Sequence, residues 1–377
     1  MESTRSIPLS KLYYRVCCFV LFFVAAAASF NGFYDKWHFL EQFSHPPVNR
    51  NDFGSMVDGS AARPYVYRQL LPMIASWIER RIPEGAKDRM FAKLTSGTMP
   101  LWYESPNSPL AYSRTYFLRY KIVYYLSFLF ALIAVYAMYL VCKSVGLDSP
   151  TAAISAVIMI LLIPYFMDIG GYFYDYPELA FFGLAAWMAL RFSWWWMIPV
   201  VALAAWNKES FLFFVPTLYP LLRRSNSRFS ALAGIGTLGL ICAAVCWAIR
   251  SLYPHNPGGA VQMHLMDQVS FMLHPSNWFN RGRTYGVVEI LTLNPLWVAL
   301  TSWTLWRGWR LLPPAFQRHA QIAAAINLPL FILFGYPGEL RNLSMLYVTL
   351  LLLIAENLRA WNGGSSHANV VGEPRWR

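Results

Sequence analysis

The chain has 377 residues, of which 56% are hydrophobic and only 13% charged, and its mean hydropathy is +0.36. Soluble domains carry roughly a quarter charged residues, so this composition excludes an ordinary soluble enzyme. The net charge of +12 falls at the ends of apolar stretches and in one long loop, which fits loops beside anionic lipid rather than a nucleic-acid surface.

The first apolar stretch, Tyr13 to Phe30, follows Arg5, Lys11 and Arg15. It resembles a signal peptide in part, and "AAAAS" resembles a cleavage site, yet it is long enough to span and many spans follow it. A retained signal-anchor helix is therefore expected. Nine further stretches follow at 118–142, 151–167, 178–192, 194–206, 211–222, 230–249, 285–306, 320–335 and 343–358. The 16 Trp and 22 Tyr suit a chain that crosses many membrane interfaces, and "WWW" at 194–196 reads as part of such a belt. All five cysteines lie in or beside these stretches without metal-ligand spacing, and read as small buried hydrophobes.

Between the first two stretches runs a long loop, 31–117. Within it, "YVYRQLLPMIASWIERRI" repeats apolar residues at helical spacing, which predicts an interfacial helix with Arg68 on its polar side. "AKDRMFAKL" predicts a shorter one. The second long loop, 251–284, is rich in Pro, His and Asn.

The fifth and sixth stretches are short, and "NKES" (Asn207 to Ser210) separates them. A span needs about 20 residues, and a charge at mid-membrane costs about 2.5–3.5 kcal/mol even on the lenient insertion scale. A hairpin with Lys208 and Glu209 at its tip avoids that cost. It also places Lys143, Arg191, Arg223, Arg224, Arg228, Arg307, Arg310, Arg318, Arg359, Arg375 and Arg377 on the side of the N-terminus, and leaves only Lys208 and Arg341 in short loops opposite. The positive-inside rule then makes both termini cytoplasmic. The reading is an all-α polytopic membrane protein of about ten transmembrane helices. It forms one transmembrane domain over 1–362, with interfacial helices in the 31–117 extracytoplasmic loop, and ends in a disordered cytoplasmic tail over 363–377.

This topology sorts the unusual polar residues to the outer face: Asp35, Arg68, Asp168, Asp175, Glu178, Lys208, Glu209, His255, His264, Asp267, Arg281, Arg283, Glu339 and Arg341. Arginine forks and lysine bind phosphate, and a carboxylate nearby is a general base for a sugar hydroxyl. A lipid carrying a phosphate at headgroup level fits such a face. Bland readings stand beside each residue. Asp175 and Glu178 suit a helix N-terminus, where Pro177 fits the first turn. Lys208 pairs with Glu209 or with a substrate, Glu339 and Arg341 pair across a turn, and Glu289 faces the interior at the outer end of the eighth stretch. His255, His264 and His274 lack the spacing of a helical metal pair. With Asp267 they leave a divalent ion as an option, and no metal site is assigned.

An acidic residue just after the first span, a large first outer loop, "YRQLLP", "YDYPE", "NKES" and the late "GELR" together resemble the C-type membrane glycosyltransferase superfamily (GT-C). The family often has two adjacent acids after the first span; here Asp35 is followed by Lys36. The resemblance implies transfer of a sugar from a polyprenyl-phosphate carrier to a glycan, lipid or protein acceptor on the outer face, most naturally of a bacterial inner membrane. It implies Asp35 as the catalytic base, while the outer-face placement makes Arg68, Asp168, Asp175, Glu178, Lys208, Glu209, Glu339 and Arg341 the candidates for binding substrate. The rivals are a transporter or flippase of lipid-linked saccharides, which should place polar groups at the midplane on repeated halves, a polysaccharide polymerase or ligase, and a scaffold with scattered charges.

Overall fold

The computed structural model describes residues 9–40, 52–95, 113–259, 261–290 and 294–363. Arg5, Arg375, Arg377 and nearly all of the tail named above lie outside them. The described residues are mostly helical, with one two-stranded sheet. Five helices are long and apolar enough to cross a membrane: Tyr13–Trp37, Arg114–Ser144, Ser149–Phe166, Arg228–Leu252 and Leu340–Trp361. The architecture is that of a multi-pass helical membrane protein.

In chain order the helices are α1 (Leu9–Trp37), α2 (Phe53–Asp58), α3 (Leu70–Glu79), α4 (Glu84–Thr95), α5 (Arg114–Ser144), α6 (Ser149–Phe166), α7 (Asp175–Arg191), α8 (Ile198–Asn207) and α9 (Phe211–Leu222). Then come α10 (Arg228–Leu252), α11 (Leu265–Leu273), α12 (Pro295–Trp309), α13 (Pro314–Phe334) and α14 (Tyr347–Trp361), the last preceded by the 3-10 turn Leu340–Leu346. The starts are chemically marked. Ser113, Asp148, Ser227 and Asn294 each accept a backbone N–H of the turn they open, a cap worth about 1 kcal/mol each.

Small residues bring the helices together. A Cβ on Gly183 of α7 would lie 2.9 Å from Ala137 Cβ of α5, the close approach that membrane bundles use in place of a hydrophobic drive. Ser29 of α1 donates to Ile160 O of α6 at 2.6 Å and lies 2.8 Å from Tyr176 OH of α7. These bonds bind three helices through groups that hydrocarbon would leave unpaired.

Two expectations change. The stretch 285–306 is not one helix. Residues 281–290 form an antiparallel hairpin, β1 (Arg281–Thr284) with β2 (Val287–Ile290), pairing Thr284 with Val287, and the helix begins only at Pro295. The turn residues Tyr285 and Gly286 both have positive φ, the geometry that closes two-residue hairpins, and β-branched Thr284, Val287, Val288 and Ile290 flank it. Glu289 therefore lies on a strand. Tyr285 at the tip donates to Leu161 O of α6 at 2.8 Å, and its ring lies against Gly32 of α1. Arg68, in turn, is not on a helix. It closes the 3-10 turn Tyr65–Tyr67, and α3 starts two residues later, with Pro72 in its first turn, where a missing N–H costs nothing.

Candidate functional site

The ends of α1, α6 and α8 and the starts of α7, α9 and the 340–346 turn meet at one end of the bundle. The loop 167–174 is the centrepiece. Lys36 pairs with Asp168 at 2.9 Å, and Trp37 Nε1 donates to Met167 O at 2.6 Å, so the end of α1 is tied to this loop. Gly171 follows, with space for a hydrogen only, since a Cβ would meet the Phe33 and Trp37 rings. The chain then presents Tyr172 and Tyr174 stacked at 4.9 Å and enters α7.

Asp175 opens α7 and accepts from the Tyr172 backbone N–H at 2.8 Å, while its other oxygen takes Arg341 Nη1 at 2.8 Å. Arg341 also holds Glu339 Oε1 through Nε at 3.0 Å and Nη2 at 2.5 Å, and its guanidinium lies over the Tyr172 ring. One turn on, Glu178 accepts from Lys208 at 2.7 Å, Ser210 at 2.9 Å and Ser344 at 3.2 Å. Lys208 reaches it because its own backbone is extended (φ −159°, ψ 130°) and breaks the chain between α8 and α9. Asn207 steadies the break by donating to Tyr174 O at 3.0 Å.

Arg68 stacks between the rings of Tyr65 and Tyr174. Its Nη1 donates to the Tyr174 hydroxyl, and its Nη2 stands 3.6 Å from Glu209 Oε1, beyond hydrogen-bond reach. Arg68 Nε and Glu209 Oε2 are both buried without a partner among the described residues. Burial works against the Arg68 cation, but the Tyr174 phenol and Glu209 beside it hold the guanidinium above its usual range. Burial pushes the Tyr172 and Tyr174 phenols up, so both keep their protons at neutral pH.

Seven of the residues singled out in the sequence thus form one cluster: Arg68, Asp175, Glu178, Lys208, Glu209, Glu339 and Arg341. Asp168 lies on the same 167–174 loop and pairs instead with Lys36. Lys208 does not pair with Glu209; the two point to different partners, Glu178 and Arg68. Glu339 and Arg341 do pair across their turn, with Asp175 as a third member. Asp35 is exposed on the last turn of α1 and takes no part in the network. Of the histidines, only His264 meets Asp267, at 2.9 Å. Among the described residues no group of three or more His, Cys, Asp or Glu gathers to hold a metal ion.

The tyrosines and the donors Ser210, Asn342 and Ser344 were not expected. Asn342 donates to Glu339 Oε2 at 2.6 Å. A signal for the tyrosines was present in "GYFYDYPE": aromatic residues alternating into a helix start that carries two acids form a wall for cations.

Three cations face four carboxylates here. Lys208–Glu178 and Arg341–Asp175–Glu339 are closely paired and hold the loops in place. Arg68 and Glu209 are not. An unsatisfied buried polar atom costs about 1–3 kcal/mol, and among the described residues Arg68 Nε and Glu209 Oε2 are one such donor and one such acceptor. An oxyanion suits the first and a hydroxyl suits the second.

Comparison with family models, with curated proteins and with solved structures found no match to this chain.

Proposed function

We propose that the chain is a membrane glycosyltransferase that moves a sugar from a polyprenyl-phosphate carrier to an acceptor at the outer face of the membrane. The observation that carries this reading is the half-satisfied pair Arg68–Glu209. A sugar phosphate offers both missing partners at once, phosphate oxygens to Arg68 Nε and a sugar hydroxyl to Glu209 Oε2. The resemblance of "YRQLLP", "YDYPE", "NKES" and "GELR" to the C-type superfamily points the same way. In this reading the chain crosses the bilayer ten times, both termini are cytoplasmic and the membrane is a bacterial inner membrane. The charge cluster then lies at the outer headgroup level, where a carrier phosphate resides.

The chemistry is a direct displacement. The acceptor oxygen bonds to the anomeric carbon as the bond from that carbon to the phosphate oxygen breaks, and the electron pair leaves with the polyprenyl phosphate. Arg68 meets the charge that grows on the departing phosphate, with Arg341 and Lys208 behind it adding field in a site of low dielectric. The acceptor proton goes to Asp35, the exposed carboxylate that the network leaves unengaged.

The test is transfer by purified protein from a panel of radiolabelled polyprenyl-phosphate sugars to membrane extract. Activity with at least one donor is expected, with loss in Arg68→Ala and Asp35→Asn. A panel without turnover by folded wild-type protein, or full activity in both variants, removes the reading.

A further inference from the structure

A second feature abuts the charge cluster and plays no part in it. A cavity of about 550 Å³ opens between α11, the 168–171 loop and the 335–337 segment, within the roughly 300–1,000 Å³ of small-molecule sites. Its polar lining is Asp267, Ser270 and Asn277, and its apolar lining is Phe271, Tyr336, Ile169 and Pro337. No cation lines it.

The cavity and the charge cluster stand back to back across a wall one residue thick. Ile169 lines the cavity, whereas its neighbour Gly170 lies against Glu339 and Arg341, close enough that a Cβ would be 2.9 Å from Glu339 Oε1. Pro337 likewise lines the cavity, and Glu339, two residues on, holds Arg341.

The cavity is also built. Gln268, buried on the inner side of α11, donates to Gly335 O at 3.0 Å, and the His264 backbone N–H donates to Leu333 O at 2.8 Å. These bonds pin α11 to the end of α13. His264 Nδ1 lies 2.9 Å from Asp267 Oδ2, with its ring edge-on to Tyr336, which orients the carboxylate. Asn277 Nδ2 donates to Phe271 O at 3.1 Å, which fixes its amide plane. Met266 and Leu273 on the far side of α11 are exposed, the pattern of a helix resting on lipid with its polar edge turned to the cavity.

We propose that this cavity binds the acceptor as a neutral saccharide. The Asp267 carboxylate disfavours an anion. Carboxylate, hydroxyl and amide together offer the donors and acceptors that adjacent sugar hydroxyls need, and the aromatic rings of Tyr336 and Phe271 cover the apolar face of a pyranose. The wall parts this cavity from Glu339 and Arg341, so the cavity holds the body of the acceptor and not its reacting hydroxyl. This inference rests on the glycosyl-transfer reading and gives it a substrate class.

The test uses the full chain in lipid nanodiscs. Saturation-transfer difference NMR is recorded with the methyl glycosides of glucose, galactose, mannose and arabinose, and binding of a polyprenyl phosphate is measured in parallel. At least one glycoside is expected to give a signal. Asn277→Ala and the cavity-filling Ser270→Trp should each cut that signal fivefold or more, with unchanged thermal unfolding and unchanged lipid-phosphate binding. Arg68→Ala should do the reverse. Lipid-phosphate binding without any glycoside signal, or a signal that survives both cavity variants, overturns the inference and leaves the transfer reading standing. A glycoside signal lost in the cavity variants, without lipid-phosphate binding, supports the cavity and removes the transfer reading.

Discussion

Arg68 and Glu209 stand 3.6 Å apart, each with one buried polar atom that no described neighbour satisfies. The ion pairs around them are tighter: Lys208–Glu178 at 2.7 Å and Arg341–Asp175 at 2.8 Å. The more buried pairs are closely held, and the more exposed pair, Arg68–Glu209, is left loose, which is where the proposed reading seats a ligand. Removing the guanidinium in Arg68→Ala should lower turnover about 10²–10³-fold, the range for losing one preorganised donor to a developing anion. Glu209→Gln, which keeps shape and removes charge, should raise KM for the donor more than it lowers kcat. Both should unfold within a few degrees of wild type. Equal losses of stability and activity would make the pair structural.

Lys208 and Glu178 carry the opposite expectation. Both are buried, and Glu178 has two further donors in Ser210 and Ser344. Breaking a buried pair from one side costs about 3–5 kcal/mol, because a charge is left without a partner. Lys208→Met should therefore lower the thermal unfolding midpoint sharply, and adding Glu178→Gln should recover most of the loss. Thermal unfolding in detergent reads both. If the single variant melts with wild type, the pair carries no structural weight.

Much of this site was legible before the fold was. A lysine and a glutamate inside an apolar run must leave the bilayer, and the chain breaks there. Acids beside Pro177 mark a helix start. The partners were not legible. Lys208 meets Glu178 across 30 residues and Arg341 meets Asp175 across 166, and no local spacing carries such pairings. Arg68 was misread because its helical periodicity is real, but a helix that begins at Leu70 leaves it in the preceding turn. The hairpin at 281–290 was hidden for a related reason: short β-branched runs look like the start of an apolar span, and only Tyr285–Gly286 marks the turn.

Gly170 tests the wall between cavity and cluster. Its φ is +79°, a conformation that costs an L-residue roughly 1–2 kcal/mol, and a methyl there would push against Glu339. Gly170→Ala should displace Glu339 from Arg341 and reduce transfer, with a milder effect on unfolding than Lys208→Met. Wild-type turnover in a folded Gly170→Ala protein would show that Glu339 need not hold its place.

Asp148 gives the pH prediction. It caps α6, and the Thr151 side chain and then the Thr151 backbone N–H hold its carboxyl below the usual range. A lowered folded value means that the ionised form stabilises the fold. That stability is present above the unfolded value of about 3.9 and is lost as pH falls through the lower folded value. Asp148→Asn keeps the cap and removes the titration. Between pH 6 and pH 3 the unfolding midpoint of wild type should fall further than that of Asp148→Asn. Parallel curves would assign the acid sensitivity elsewhere.

Sidedness is the premise on which the carrier-phosphate reading stands, and the turn between α9 and α10 reports it most directly. Arg223 and Arg224 precede this turn and Arg228 follows it, and cationic residues beside spans are retained on the cytoplasmic side. The charge cluster lies at the opposite end of α9, where Phe211 follows the Lys208 break. An epitope inserted between Ser225 and Arg228 should be reached by antibody only after cells are permeabilised, and a cysteine-reactive, impermeant label should reach Asp35→Cys in intact cells. The second result is the stricter one, because Asp35 is exposed and at the cluster's own end of the bundle. Labelling of the epitope in intact cells would put Arg68 and Glu209 in the cytosolic leaflet, where the lipid-linked donor could meet no acceptor outside the cell.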